Sequence, residues 1–185
     1  MRHLTALTLI AILTSPLGAL AQTTAPSPED STLSPMRVTE FSPQRFLYVT
    51  GQVNYADSAA IAKMIQQVAK AMEANHIAPS GGPVVLCHGA TRDPNHVFTM
   101  DIGFPVRDNT PAVGECKVTE LAPFQCASAV YTGAPARMGD AIHELYRQTR
   151  DAGHVSADRL RIRSLYYEGD DSANNVFLLE IELRS

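Results

Sequence analysis

Two carboxylates stand where a folded chain would rather have hydrocarbon. Glu180 sits in Val176-Phe177-Leu178-Leu179-Glu180-Ile181-Glu182-Leu183, and Asp101 in Val97-Phe98-Thr99-Met100-Asp101-Ile102-Gly103-Phe104. Both runs read as strands, whose side chains alternate between two faces. Phe177, Leu179, Ile181 and Leu183 share one face, and Phe98, Met100, Ile102 and Phe104 match them. Glu180 and Asp101 point the other way. An unpaired charge is costly to bury. Desolvation would raise a carboxyl pKa unless a cation restores the charged form. The chemistry on offer is recognition of a cation, or general acid–base work by a perturbed carboxyl. The alternative for Glu180 is a solvated carboxylate on an open sheet face, and Asp101 can also be satisfied locally by short loops. Glu182 lies nearer the chain end and is expected in solvent.

Other chemistries find less support. His76, His88, His96, His143 and His154 form no His-x-x-x-His or His-Glu-x-x-His pattern, so neither a metal nor a haem is expected. No Gly-x-Ser-x-Gly elbow or Cys/His nucleophile motif occurs, so no catalytic residue is assigned. A net charge of −4 without a basic stripe gives no case for nucleic acid. Cys116 and Cys126 flank a turn near Leu121-Ala122-Pro123, and a disulfide across it is an option in an oxidising compartment. Cys87 reads as a small buried apolar residue.

The elements that must position the acids come in two copies. Val38-Thr39-Glu40-Phe41-Ser42-Pro43 recurs as Val118-Thr119-Glu120-Leu121-Ala122-Pro123, and Val49-Thr50-Gly51 as Tyr131-Thr132-Gly133. Asn75-His76-Ile77 is echoed by Gly153-His154-Val155, and Asn95-His96-Val97-Phe98 by Asn174-Asn175-Val176-Phe177. Such ordered self-similarity marks an internal duplication. In the first copy, Arg45–Val53 is a strand, and Asp57 or Ser58 caps a helix to about Asn75. Ile61, Met64, Ile65, Val68 and Met72 form that helix's apolar stripe. Strands follow over Val84–Cys87 and Val97–Val106. In the second copy, strands over 113–120 and 126–131 precede a helix over Arg137–Ala152, stopped by Gly153. Strands over Arg161–Tyr167 and 176–183 close the chain. The expected fold is therefore α+β: tandem βαββ repeats about a pseudo-two-fold axis, with an antiparallel sheet carrying both helices on one face and a central groove on the other. Tyr48, Tyr131, Tyr146, Tyr166 and Phe104 are the aromatics expected to approach that groove, where rings beside a carboxylate suit flat or cationic ligands.

The N-terminus reads as an export signal. Leu4–Leu13 is apolar but shorter than the roughly 20 residues that span a bilayer. Ala19-Leu20-Ala21 is a small-x-small site, so cleavage is expected after Ala21. Residues 22–35 are rich in Thr, Ser, Pro and Ala, and read as a disordered linker. Residues 36–185 then form one domain, expected in the periplasm or outside the cell, without a membrane span and as a monomer.

The Val-x-x-Leu-x-Pro opening at Val118, Leu121 and Pro123 is one of four landmarks. The others are Tyr131-Thr132-Gly133, Tyr166-Tyr167, and Leu179-Glu180-Ile181. In these the chain resembles the GyrI-like (gyrase-inhibitor-like) family, also found as the effector-binding domain of AraC-type regulators. The resemblance implies a duplicated βαββ, SHS2-like fold. It also implies a hydrophobic or cationic small molecule in the central groove, met by an inward glutamate on the last strand, here Glu180. The SOUL haem-binding fold is a more distant likeness. No helix-turn-helix segment accompanies the domain, and export would separate it from gyrase and DNA. The expected function is thus exported small-molecule binding. The alternatives are a hydrolase of reactive small molecules using Glu180 as acid or base, as reported within the resembled family, and a protein-interaction module.

Overall fold

The computed structural model describes residues 31–184, apart from 55, 56, 92 and 94. The expected export signal and the linker as far as residue 30 lie outside the described residues. The strands are β1 (Thr32–Leu33), β2 (Arg37–Phe41), β3 (Gln44–Val53), β4 (Val84–His88), β5 (Phe98–Pro105), β6 (Lys117–Leu121), β7 (Phe124–Thr132), β8 (Ser156–Tyr166) and β9 (Val176–Leu183). The helices are α1 (Ser58–Ala74) and α2 (Met138–Asp151), the latter entered through a 3-10 turn at Pro135–Arg137. The linker expected through Pro35 ends sooner: Thr32 and Leu33 pair with Thr132 and Tyr131. Composition argued for a solvated segment, but a sheet edge supplies backbone partners to any sequence that can extend along it.

One curled antiparallel sheet runs β1-β7-β9-β8-β4-β5-β3-β6, with β2 also on β7. The repeats interlock at two places. At the centre of the sheet β4 lies against β8, Leu86 opposite Arg161. At the outside, β2–β3 and β6–β7 are two bent strands that pair with each other in one unbroken register. Arg37 faces Ser128 and Phe41 faces Phe124; past the bends, Gln44 faces Leu121 and Tyr48 faces Lys117. The bends fall at Ser42-Pro43 and Ala122-Pro123, the last two residues of each copy of the repeated hexapeptide. Proline removes a ladder donor at each bend, where the sheet turns.

Both helices cover the same face. Asp57 caps α1 by accepting from the Ala60 N–H at 2.9 Å, and Met64, Val68 and Met72 carry its buried stripe. The helix comes so near β3 that a Cβ on Gly51 would stand 2.6 Å from the Met64 sulfur. In α2 the buried row is Met138, Ala141, Ile142, Leu145 and Thr149. These residues share one core with Leu47, Val49, Met100, Ile102, Ala127, Ala129, Leu179 and Ile181. Each helix ends in a left-handed residue, His76 (φ 53°) in the first unit and Gly153 (φ 82°) in the second. His76 therefore corresponds to Gly153, one residue away from the His76–His154 match read from sequence.

Candidate functional site

Residues directly opposite in an antiparallel ladder project from the same face. Asp101 lies opposite Leu86, Leu86 opposite Arg161, Arg161 opposite Glu180, and Glu180 opposite Ser128. This row crosses the helix-free face of the sheet. Asp101 and Glu180 do share that face, as their positions implied. Three strand spacings separate them, roughly 14 Å, and each has its own partners.

Asp101 accepts from or pairs with His88, Oδ2 to Nε2 at 2.8 Å. Nearby, Tyr48 stacks on Phe46 with centroids 5.2 Å apart. Burial, then the Asp101 charge, raises the Tyr48 hydroxyl above its ordinary pKa.

Glu180 is 3% exposed and Arg161 1%. Arg161 Nε donates to Glu180 Oε2 at 2.7 Å. Its Nη2 lies 2.6 Å from Oε1, an ionic contact whose angle falls outside hydrogen-bond geometry. A second guanidinium, Arg163, brings Nε to 3.1 Å from Oε2. The Arg161 guanidinium carbon sits 3.5 Å above the Phe41 ring and 4.9 Å from that of Phe124, and those two rings touch at 5.5 Å. A carboxylate, a cation and two aromatic faces are thus already assembled from the chain itself. Desolvation pulls the Arg161 pKa down, opposed by Glu180. Cys126, next along β7, has its thiol raised by burial first, against a hydrogen bond with Thr39.

Above this group is a cleft of about 640 Å³ between segment 34–44 and the β7–β9–β8 face; Arg37, Phe41, Ser128, Arg163, Leu178 and Glu180 are among its walls. Its size lies within the roughly 300–1,000 Å³ common for small-molecule sites. Asp101 and Tyr48 are not among its lining residues. Several expected aromatics are elsewhere. Tyr131 is 1% exposed on the helix side, donating to the Ala134 carbonyl at 2.8 Å. Tyr146 and Phe104 pack against the same helix-side core. Tyr166 is 52% exposed at the far end of the groove face, bonded to Glu168. Tyr131 follows Ala127 and Ala129 by strand alternation, and those alanines lie under α2, which decides its side.

The cysteine expectation is also corrected: Cys87, Cys116 and Cys126 are all free and buried. Cys116 belongs to the helix-side core, while Cys126 faces Thr39 and Glu180 on the opposite side of the sheet. Among the described residues no cluster of three or more His, Cys, Asp or Glu is placed to hold a metal. No helix among them is long and apolar enough to cross a membrane.

Sequence reasoning passed over Arg161, Arg163, Phe41 and Phe124. A signal existed. Folding the last hairpin about Asp170-Asp171, the middle of its turn, sets Arg161 opposite Glu180. The same operation about Asp93-Pro94 sets Leu86 opposite Asp101.

A duplicated βαββ sheet with helices on one face and a lined cleft on the other defines a small-molecule-binding domain. The chain belongs to the GyrI-like small molecule binding domain family, whose model matches residues 34–183. The same fold is seen in a cryo-EM structure of the EcmrR–DNA complex, with TM-score 0.69 and 11% identity over 84% of this chain; the match spans only 58% of the EcmrR chain. SAV2435 bound to tetraphenylphosphonium matches with TM-score 0.56 and 14% identity, covering 80% of this chain and 93% of that one. A hydrolase encoded by lin2189 from Listeria innocua gives TM-score 0.56 and 10% identity, over 80% and 91% of the two chains. No curated protein matches.

Proposed function

We propose that this chain is an exported binding protein that holds a hydrophobic small molecule in the cleft beneath segment 34–44. The carrying observation is the cleft itself, with Phe41 and Leu178 in its walls and buried Glu180 at its base. Export rests on the apolar run Leu4–Leu13 and the Ala19-Leu20-Ala21 site. A hydrolase would need Glu180 to exchange a proton with its substrate, but two guanidiniums hold that carboxylate. A cationic ligand is the second reading, favoured by the tetraphenylphosphonium complex of SAV2435. Such a ligand would compete with Arg163, the more exposed of the two cations on Glu180.

The test uses Nile red, a neutral hydrophobic dye. Wild type should bind it saturably, and Leu178→Trp, which fills the cleft wall, should weaken binding by about tenfold, equal to about 1.4 kcal/mol. Binding that is non-saturable, or indifferent to Leu178→Trp, would sink the proposal. Export is tested separately: mature protein recovered from the periplasm or medium should begin at Gln22.

A further inference from the structure

We infer that the molecule held in this cleft is a hydrophobic anion. The inference rests on the cleft being the ligand site, and four observations carry it.

The cation position at Glu180 is already filled. Arg161, bracketed by Phe41 and Phe124 and bonded to Glu180, stands where a cationic guest would otherwise pair with the carboxylate. The fold does not demand an arginine at this point. Its counterpart in the first repeat is Leu86, opposite Asp101 as Arg161 is opposite Glu180.

Charge is in surplus on the positive side. Arg161 and Arg163 share Glu180. Arg159 takes Glu182 at 3.2 Å. Arg37 sits opposite Ser128, so its side chain projects to the same face. Among the described residues Arg37 has no acid partner. Glu40 also borders the cleft, but it pairs with Gln125, and its side chain belongs to the opposite face of β2.

Acceptors are what the site lacks. Arg161 Nη1 has no hydrogen-bond acceptor among the described residues, and Arg161 Nη2 and Arg163 Nε meet only the Glu180 oxygens, at 2.6 and 3.1 Å. The remaining buried atom of this kind at the cleft is Gln44 Oε1, and an amide can exchange oxygen for nitrogen by a flip. Buried donors of charged groups are costly to leave unmet. An anion in the cleft would meet Arg163, which lines it, and so relieve the claim of two guanidiniums on one carboxylate; a cation would add to the excess.

The cation nearest the open cleft is also the adjustable one. The Arg163 side chain is 30% exposed and touches Glu180 only through Nε. Its outer nitrogens can therefore turn to a guest while Arg161 continues to neutralise Glu180.

Tetraphenylborate and tetraphenylphosphonium test this directly, being nearly the same shape with opposite charge. Full-length mature protein is titrated with each, with Nile red as the neutral reference. Tetraphenylborate should bind at least about tenfold more tightly than tetraphenylphosphonium, and Arg163→Gln should shrink that preference, read as the ratio of the two ions' affinities in each protein, by about tenfold. Equal binding, a preference for tetraphenylphosphonium, or a preference that Arg163→Gln leaves intact overturns the inference. So does rejection of both ions by protein that still binds Nile red saturably. Failure of Nile red as well defeats the cleft reading instead.

Discussion

Leu86 on β4 and Arg161 on β8 face each other across the join of the two repeats, and they are the same position of the two units. Each lies opposite its own unit's acid, Asp101 or Glu180. The next groove-face residues correspond too: His88 pairs with Asp101 as Arg163 pairs with Glu180. The duplication thus kept a nitrogen-bearing outer partner for each acid, His88 or Arg163, and broke its symmetry at the inner one. Among the described residues, the fully buried ion pair belongs to the second unit, and Glu180 rather than Asp101 lines the cleft.

The buried pair should behave as a unit in stability. Arg161→Leu leaves Glu180 at 3% exposure with only Arg163 beside it. Breaking a buried pair typically costs about 3–5 kcal/mol, and Arg163 should hold the loss near about 3 kcal/mol. The double variant Arg161→Leu/Glu180→Leu removes both charges and imitates the Leu86 side of the sheet. It should recover to within about 1 kcal/mol of wild type, since apolar replacement of a buried pair is often neutral or stabilising. Urea unfolding of the three proteins decides this. A double variant as unstable as the single would mean that packing over Phe41, rather than charge, dominates.

Much of this arrangement can be read from the chain. The repeated hexapeptides mark the bends, the apolar rows of α1 and α2 place the helices, and alternation in β5 and β9 puts both acids away from the core. The partners of those acids were harder to see. Arg159, Arg161 and Arg163 alternate with Leu160 and Ile162, which reads as an ordinary half-wet strand. Nothing within β8 says that its polar face lies beneath β2. That covering comes from the bent-strand ladder between residues 37–48 and 117–128, a pairing across the whole domain. Tyr131 went astray for a similar reason. In β7, Cys126, Ser128 and Val130 are hardly more polar than Ala127, Ala129 and Tyr131, so the strand alone does not reveal which face α2 covers.

The curl of the sheet places a sharp demand on Gly103. It faces Tyr48 across β3 and β5, and an added Cβ would stand 1.9 Å from the Leu47 carbonyl oxygen and 2.7 Å from the Tyr48 Cα. Both obstacles are backbone, which has less room to yield than a side-chain tip. Gly103→Ala should cost about 3 kcal/mol or prevent folding, at or beyond the usual range for overpacking. Gly139 in α2 is the control: an added Cβ there meets nothing within 4 Å. Gly139→Ala should gain about 0.5–1 kcal/mol from helix propensity. Melting temperatures moving in opposite directions would support this reading. Equal tolerance of both substitutions would mean that β3 and β5 separate more easily than their close approach implies.

The free cysteines predict both a labelling pattern and a pH dependence. In denaturant without reductant, all three should alkylate; a single labelled site would reveal a disulfide. In the native protein at pH 8, Cys87 should resist labelling, because burial pushes its thiol up to about 12. The same shift links Cys87 to stability. An unfolded cysteine titrates near about 8.5, so below that pH both states keep the proton and the folded state loses nothing. Between about 8.5 and 12 the unfolded chain can release the proton while the buried thiol retains it, so stability falls as pH rises. By linkage, wild type should lose about 1.5 kcal/mol more than Cys87→Ala between pH 8.5 and 10. Urea midpoints across that interval measure the difference directly. Parallel losses in the two proteins would show that Cys87 ionises in the folded state as readily as in the unfolded one, and that its side of the core admits water.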